Sequence, residues 1–141
     1  MIYVFAALGG ALGALARWAI AEALPHSPGA WPWSTLLVNL VGCLALGGLL
    51  AVLLARYPHS PWLRPFLAVG VLGGFTTYST FAMDVVRLTG SGHPVLAVAY
   101  VLASVLGGVL AVVVGLVLGR AAVRAADTVD AELRADRKSV V

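Results

Sequence analysis

Charge is what this sequence has least of. Its 141 residues carry nine Lys and Arg and six Asp and Glu, 11% in all, where a soluble domain carries about 25%. So few charges do not cover a globular surface, which excludes water as the main solvent. Cysteine is almost missing too. Cys43 stands alone, so an intrachain disulfide and a Cys-rich metal site are both excluded, and its place in an apolar run reads as a small buried side chain. The three histidines, His26, His59 and His93, lie apart, each beside or near a proline in a connection, whereas a metal site needs a cluster. A basic stripe with interleaved aromatics is absent as well, so the net charge of +3 and the pI near 9.5 are no sign of nucleic acid.

What is present is apolar length. Hydrophobic residues make up 61% and the mean hydropathy is +0.99, enough for four membrane spans of about 20 residues with short connections. The first runs from Ile2 to Leu24 and stops at Pro25-His26-Ser27-Pro28-Gly29, a turn cluster. It has no basic start and carries Gly9, Gly10 and Gly13 in mid-run, which reads as a retained span and not as a cleaved signal. The second runs from Trp33 to Leu54, with Trp31 and Trp33 as interfacial anchors. The third runs from Trp62 to Leu88 and the fourth from Val95 to Gly119. Residues 1–120 thus form a transmembrane unit, and residues 121–141 form a polar, mixed-charge tail, a solvated helix end or disorder.

An even number of spans puts both termini on one side. That side holds Arg56, Arg64, Arg120, Arg124, Arg134, Arg137 and Lys138; the other holds Arg17 and Arg87. The positive-inside rule then predicts cytoplasmic termini in a cell membrane. Gly9 and Gly13, Gly70 and Gly74, and Gly115 and Gly119 are G-x-x-x-G pairs, predicting close helix contact within one subunit or between subunits.

Nothing in the spans resembles catalytic machinery. Glu22 and Asp84 show no evident partner at bilayer depth, and there are no paired carboxylates and no phosphate-cradling loop, so the chain reads as a non-enzyme. The polar residues inside the spans are neutral: Asn39, Thr76, Thr77, Tyr78, Ser79, Thr80, Tyr100 and Ser104. The densest stretch is Gly73-Gly74-Phe75-Thr76-Thr77-Tyr78-Ser79-Thr80-Phe81. Two glycines and several hydroxyl residues in mid-span invite a break, and a break frees backbone groups that lipid does not satisfy; the alternative is a continuous helix whose hydroxyls bond to the preceding turn. Asn39 suits either a donor lining an aqueous pocket or an interhelical hydrogen bond. Tyr100 and Ser104, four apart, share a helix face. Arg17, near the end of the first span, either snorkels to the interface or supplies positive potential to an anion vestibule.

Three ordered segments, Gly9-Gly10-Ala11-Leu12-Gly13-Ala14-Leu15-Ala16-Arg17-Trp18, Ser34-Thr35-Leu36-Leu37-Val38-Asn39-Leu40-Val41-Gly42 and the glycine–threonine stretch above, resemble the fluoride channel family, known as Fluc or CrcB-like proteins. The resemblance implies a passive fluoride-selective channel that relieves fluoride toxicity by letting the ion leave the cytoplasm. It also implies an all-α membrane protein with four transmembrane helices and a break in the third, assembled as an antiparallel, dual-topology dimer with itself or with an oppositely oriented paralogue. A structural Na⁺ bound by the backbone carbonyls of Gly73 and Thr76 is implied, with Asn39, Tyr78, Ser79, Thr80, Phe81, Tyr100 and Ser104 along the fluoride pathway and Arg17 in the vestibule. The sequence departs from the pattern at Tyr78, where the family has the first of two pore phenylalanines. Two other readings remain open: a partner subunit that conducts poorly alone, suggested by Tyr78 and the charge bias, and a small four-helix multidrug transporter, which would be expected to carry a membrane-embedded carboxylate.

Overall fold

A computed structural model describes residues 1–27 and 29–139. Pro28 of the first turn cluster and the last two residues of the tail lie outside the described residues. Among the described residues every regular element is helical. Helix α1 covers Ile2–Ala23, about 33 Å at 1.5 Å per residue, matched to a hydrocarbon core of about 30 Å. Pro25 ends it, because the residue before a proline is pushed out of the helical region; Leu24 accordingly takes φ −126° and ψ 61°. Helix α2, Trp33–Arg56, opens behind Pro32 and closes before Pro58, with Tyr57 already at φ −134°.

The third span, Arg64–Gly90, is in three pieces. A π-helical stretch, Arg64–Leu72, leads into one turn of α-helix, α3 (Gly73–Phe75). The chain then leaves the helix at Thr76 (ψ 158°) and Thr77 (φ −148°, ψ 119°) and re-enters it as α4, Tyr78–Gly90. Of the two alternatives open in the sequence, the break is the one the molecule adopts. Gly92, at φ 83° in the left-handed region that only glycine enters freely, makes the turn into α5, Pro94–Ser139. At 46 residues, α5 is about 69 Å long, twice what a bilayer needs. It does not end at Gly119, and the tail continues it as helix.

The chain is therefore an all-α membrane protein of four spanning helices, each long and apolar enough to cross a bilayer, with the third broken. It holds together through backbone proximity more than through a large core. The glycine pairs pack within the subunit: Gly9 and Gly13 of α1 lie against the backbone of residues 66–75, while Gly115 and Gly119 of α5 lie against Leu44, Gly48 and Ala51 of α2. The interior cluster is small, Leu36, Leu88, Ala97 and Tyr100, with Trp31, Leu40, Phe81, Val85 and Leu96 packed around it. Leu106, Val109, Leu110, Val113 and Val117 of α5 point outward, as apolar side chains do when lipid or another subunit covers them. Past the membrane, Arg56 at the end of α2 ties down the extension, donating to the Val123 carbonyl at 3.2 Å and pairing with Asp127 at 2.8 Å.

Candidate functional site

The break is built by side chains that replace the helix's own hydrogen bonds. In an unbroken helix the Thr77 amide would close on the Gly73 carbonyl and the Thr80 amide on the Thr76 carbonyl. Here Thr77 N–H donates instead to Asn39 Oδ1 at 2.9 Å, and Thr80 N–H to Thr77 Oγ1 at 3.1 Å, a threonine N-cap for α4. Asn39 Nδ2 also donates to the Thr77 carbonyl at 3.0 Å. One asparagine from α2 thus satisfies both backbone groups of the residue at the gap. The carbonyls of Gly73 and Thr76 are left without those helical partners, and Arg17 Nε takes up a neighbouring one, donating to the Gly74 carbonyl at 3.1 Å.

Hollows lie on two sides of the break. The larger, about 560 Å³, runs from Thr77 and Thr80 past Arg17, Val38 and Thr35 to Pro25, His26, Asp84 and Arg87, toward the face of the bundle opposite the termini. Arg17 lies along its wall and so combines a bond to the break with a positive charge beside the cavity. The smaller, about 220 Å³, is lined by Asn39, Gly42, Cys43, Ala68, Gly73 and Thr76, among others. Cys43 is half-buried and free, less enclosed than its apolar run suggests.

Aromatic rings and hydroxyls line up beside the break. Tyr78 and Phe81 have ring centroids 6.0 Å apart, Phe81 and Tyr100 5.4 Å, and Tyr100 meets Trp31 edge-on at 5.7 Å. Tyr78 is 81% exposed, a phenol on the outer face of a spanning helix. Thr77 Oγ1 donates to Thr80 Oγ1 at 2.9 Å, and lies 3.2 Å from Ser79 Oγ. The Tyr100 hydroxyl is fully buried and faces Thr35, Ser104 and Asp84. Among the described residues it has no hydrogen-bond partner, and neither has Ser104 Oγ. Buried hydroxyls in native proteins are nearly always bonded, so each of these two calls for a partner such as water or an ion. The residues expected along a pathway thus fall into three groups: Asn39 and Thr80 at the break itself, Phe81, Tyr100 and Ser104 inward, and Tyr78 and Ser79 on the exposed side of α4.

Asp84 corrects the sequence reading, in which it had no evident partner. It is 1% exposed and is held from three directions. Thr35 Oγ1 of α2 donates to Oδ2 at 2.7 Å, His26 Nε2 lies 3.6 Å from Oδ1, and Arg87 Nη1 lies 3.7 Å from Oδ1. The one sequence signal was its i,i+3 spacing to Arg87; Thr35 and His26 reach it only through the fold.

The family model for CrcB-like protein, Camphor Resistance (CrcB), matches residues 4–116. The chain belongs to the CrcB-like family. That match takes in the break, Asn39, Arg17 and the hydroxyls of α5. Among individual CrcB-like relatives, the fluoride-specific ion channel FluC 2 of Streptomyces avermitilis is 46% identical over 98 residues, 70% of this chain and 62% of that protein. FluC 2 of Thermobifida fusca is 49% identical over 96 residues (66% and 71%), and FluC of Rhodospirillum centenum 48% over 99 residues (70% and 79%). The chain therefore spans a little over three fifths of the Streptomyces protein's length. CrcB-like proteins of this kind are ion channels by name and not enzymes.

Proposed function

We propose that this chain is a passive, fluoride-selective channel subunit that lets fluoride leave the cytoplasm down its gradient and so relieves fluoride toxicity. The observation that carries the reading is the pair of buried hydroxyls of Tyr100 and Ser104, neither with a hydrogen-bond partner among the described residues, with the Phe81 ring packed against Tyr100. A small, strongly hydrated anion crosses a membrane only where donors replace its water. Two buried O–H groups on one helix face and an aromatic ring, whose edge is electropositive, supply that replacement. Arg17 beside the larger cavity adds positive potential at the approach. Tyr78 keeps the ring edge of the phenylalanine expected at its position and adds a hydroxyl.

The working unit in this reading is an antiparallel pair of four-helix subunits, from two copies of this chain or from this chain and an oppositely oriented paralogue. The exposed Tyr78, Ser79 and Gly73 on the broken span support it, since a polar mid-span surface is costly against lipid. The two carbonyls relieved of their helical partners, Gly73 and Thr76, suit a hard monovalent cation such as Na⁺, the donor type that discontinuous helices offer. Bound there, sodium supplies fixed positive charge to the interior. Where orientation is fixed, cytoplasmic termini follow from the arginines beside the second connection and the end of the fourth span.

The deciding experiment is fluoride efflux from liposomes holding only this protein, followed with a fluoride electrode. Fast efflux without matching chloride release is expected, and Tyr100→Phe combined with Ser104→Ala is expected to slow it. A monodisperse protein that releases no fluoride overturns the reading for the chain alone.

A further inference from the structure

Helix α2 meets the break at two successive residues. Asn39 holds Thr77, and Gly42, about one turn further along the same helix face, lies against Thr76. Gly42 is buried. A methyl group there would run into Thr76 Cγ2, with Phe75 Cδ1 at 3.4 Å and Thr76 Cβ at 3.7 Å. Gly42 and Thr76 both line the smaller hollow, together with Asn39 and Gly73. Thr76 is also where the chain leaves the helix, at ψ 158°.

The Thr76 side chain is held at both of its branches. Oγ1 donates to the Leu72 carbonyl at 2.9 Å, which also accepts the Thr76 N–H at 2.9 Å. Cγ2 occupies the space that Gly42 leaves by having no side chain. A β-branched residue has few rotamers open to it, and turning χ1 to clear a methyl group would break the bond to Leu72. The far end of the same peptide unit is held as well. Thr77 N–H is fixed on Asn39 Oδ1, and in a planar trans peptide the carbonyl points the opposite way from that N–H. The direction of the Thr76 carbonyl therefore depends on two clamps from α2, Asn39 at one end and Gly42 at the other.

We infer that Gly42 is a positioning residue for the sodium site: its missing side chain is the socket that seats Thr76 Cγ2, and the seated threonine keeps the Thr76 carbonyl in place as a cation ligand. The inference rests on the reading of Gly73 and Thr76 as sodium ligands, and adds to it a residue that itself touches no ion. Altering a group that holds a metal ligand in place typically weakens metal binding by about 10–100-fold.

Thermal unfolding of the purified protein in detergent tests this, with Na⁺ titrated against N-methylglucamine at constant ionic strength. An ion that binds only the folded protein raises the unfolding temperature, so the half-maximal Na⁺ concentration reads the site without reference to flux. Gly42→Ala is expected to raise that concentration by about tenfold or more and to slow fluoride efflux from liposomes with it. Thr76→Ser removes the clashing methyl group, while serine keeps a hydroxyl for Leu72 and the same backbone carbonyl. In the Thr76→Ser background, Gly42→Ala is therefore expected to shift the half-maximal concentration by less than about twofold, the coupling that two residues in contact show. Gly48→Ala is the control on the same helix. A methyl group there meets only the Gly115 carbonyl, at 3.5 Å, and the wild-type concentration is expected. A Gly42→Ala protein with the wild-type sodium dependence, or one whose defect persists undiminished beside Thr76→Ser, overturns the inference and leaves the sodium reading standing. Should Gly42→Ala alone fail to fold, recovery of folded protein on adding Thr76→Ser supports the inference and continued failure overturns it. A wild type whose unfolding temperature ignores Na⁺ overturns the sodium reading and this inference with it.

Discussion

Asn39 holds Thr77 by both ends of one amide group, donating through Nδ2 to its carbonyl at 3.0 Å and accepting through Oδ1 from its N–H at 2.9 Å. Two residues 38 positions apart thus make the break self-sufficient: the gap in the third span closes on α2.

Asn39→Asp keeps an acceptor for the Thr77 amide but sets a second oxygen against the Thr77 carbonyl. Leaving such a buried group unmatched costs about 1–3 kcal/mol. The expected outcome is a lower unfolding temperature in detergent together with slower fluoride efflux. Unchanged efflux from the aspartate variant would take Asn39 out of the pathway.

Neighbouring glycines of α1 are expected to behave in opposite ways. A methyl group on Gly13 would stand 2.7 Å from the Phe75 amide nitrogen, where backbone has no room to move, so Gly13→Ala is expected to lose about 1–3 kcal/mol by overpacking. Gly10 has open space at the same atom, and Gly10→Ala is expected to lie within about 0.5 kcal/mol of the wild type. Equal stability of the two variants by thermal unfolding would contradict the packing described for α1.

If Gly73 and Thr76 carbonyls hold sodium between two subunits, replacing Na⁺ by a large organic cation throughout purification is expected to weaken the dimer and reduce flux together. Size-exclusion chromatography and the liposome assay read the two effects. A preparation without Na⁺ that keeps both properties would rule out the ion's structural role.

Much of this molecule is legible in its amino-acid order. The span limits follow from Pro25, Pro32 and Pro58 standing at the edges of apolar runs, and α1 and α2 differ from the expected ranges only at their last one or two residues. The break is half legible: Gly73, Gly74 and the threonines signal it, but the same hydroxyls also suit a continuous helix, and the tie from Asn39 that decides between them is a tertiary contact. Asp84 is the clear loss. Its partners come from residue 35, from residue 26 and from its own helix, and only the last is visible in local spacing. The end of α5 is hidden as well, because Gly119 and Arg120 look like a terminus while Arg56 reaches over from α2 to hold the next turns in place.

That extension of α5 gives the molecule a marker post. A helix rises 1.5 Å per residue, so Asp130 stands about 15 Å beyond Arg120 along a strut braced by Arg56 and Asp127. A small impermeant reagent aimed at a cysteine placed there reports which way each copy faces in a sealed vesicle. Half of the copies labelled from outside would mean that the bilayer accepts this chain either way up, and all or none would mean that it sorts them.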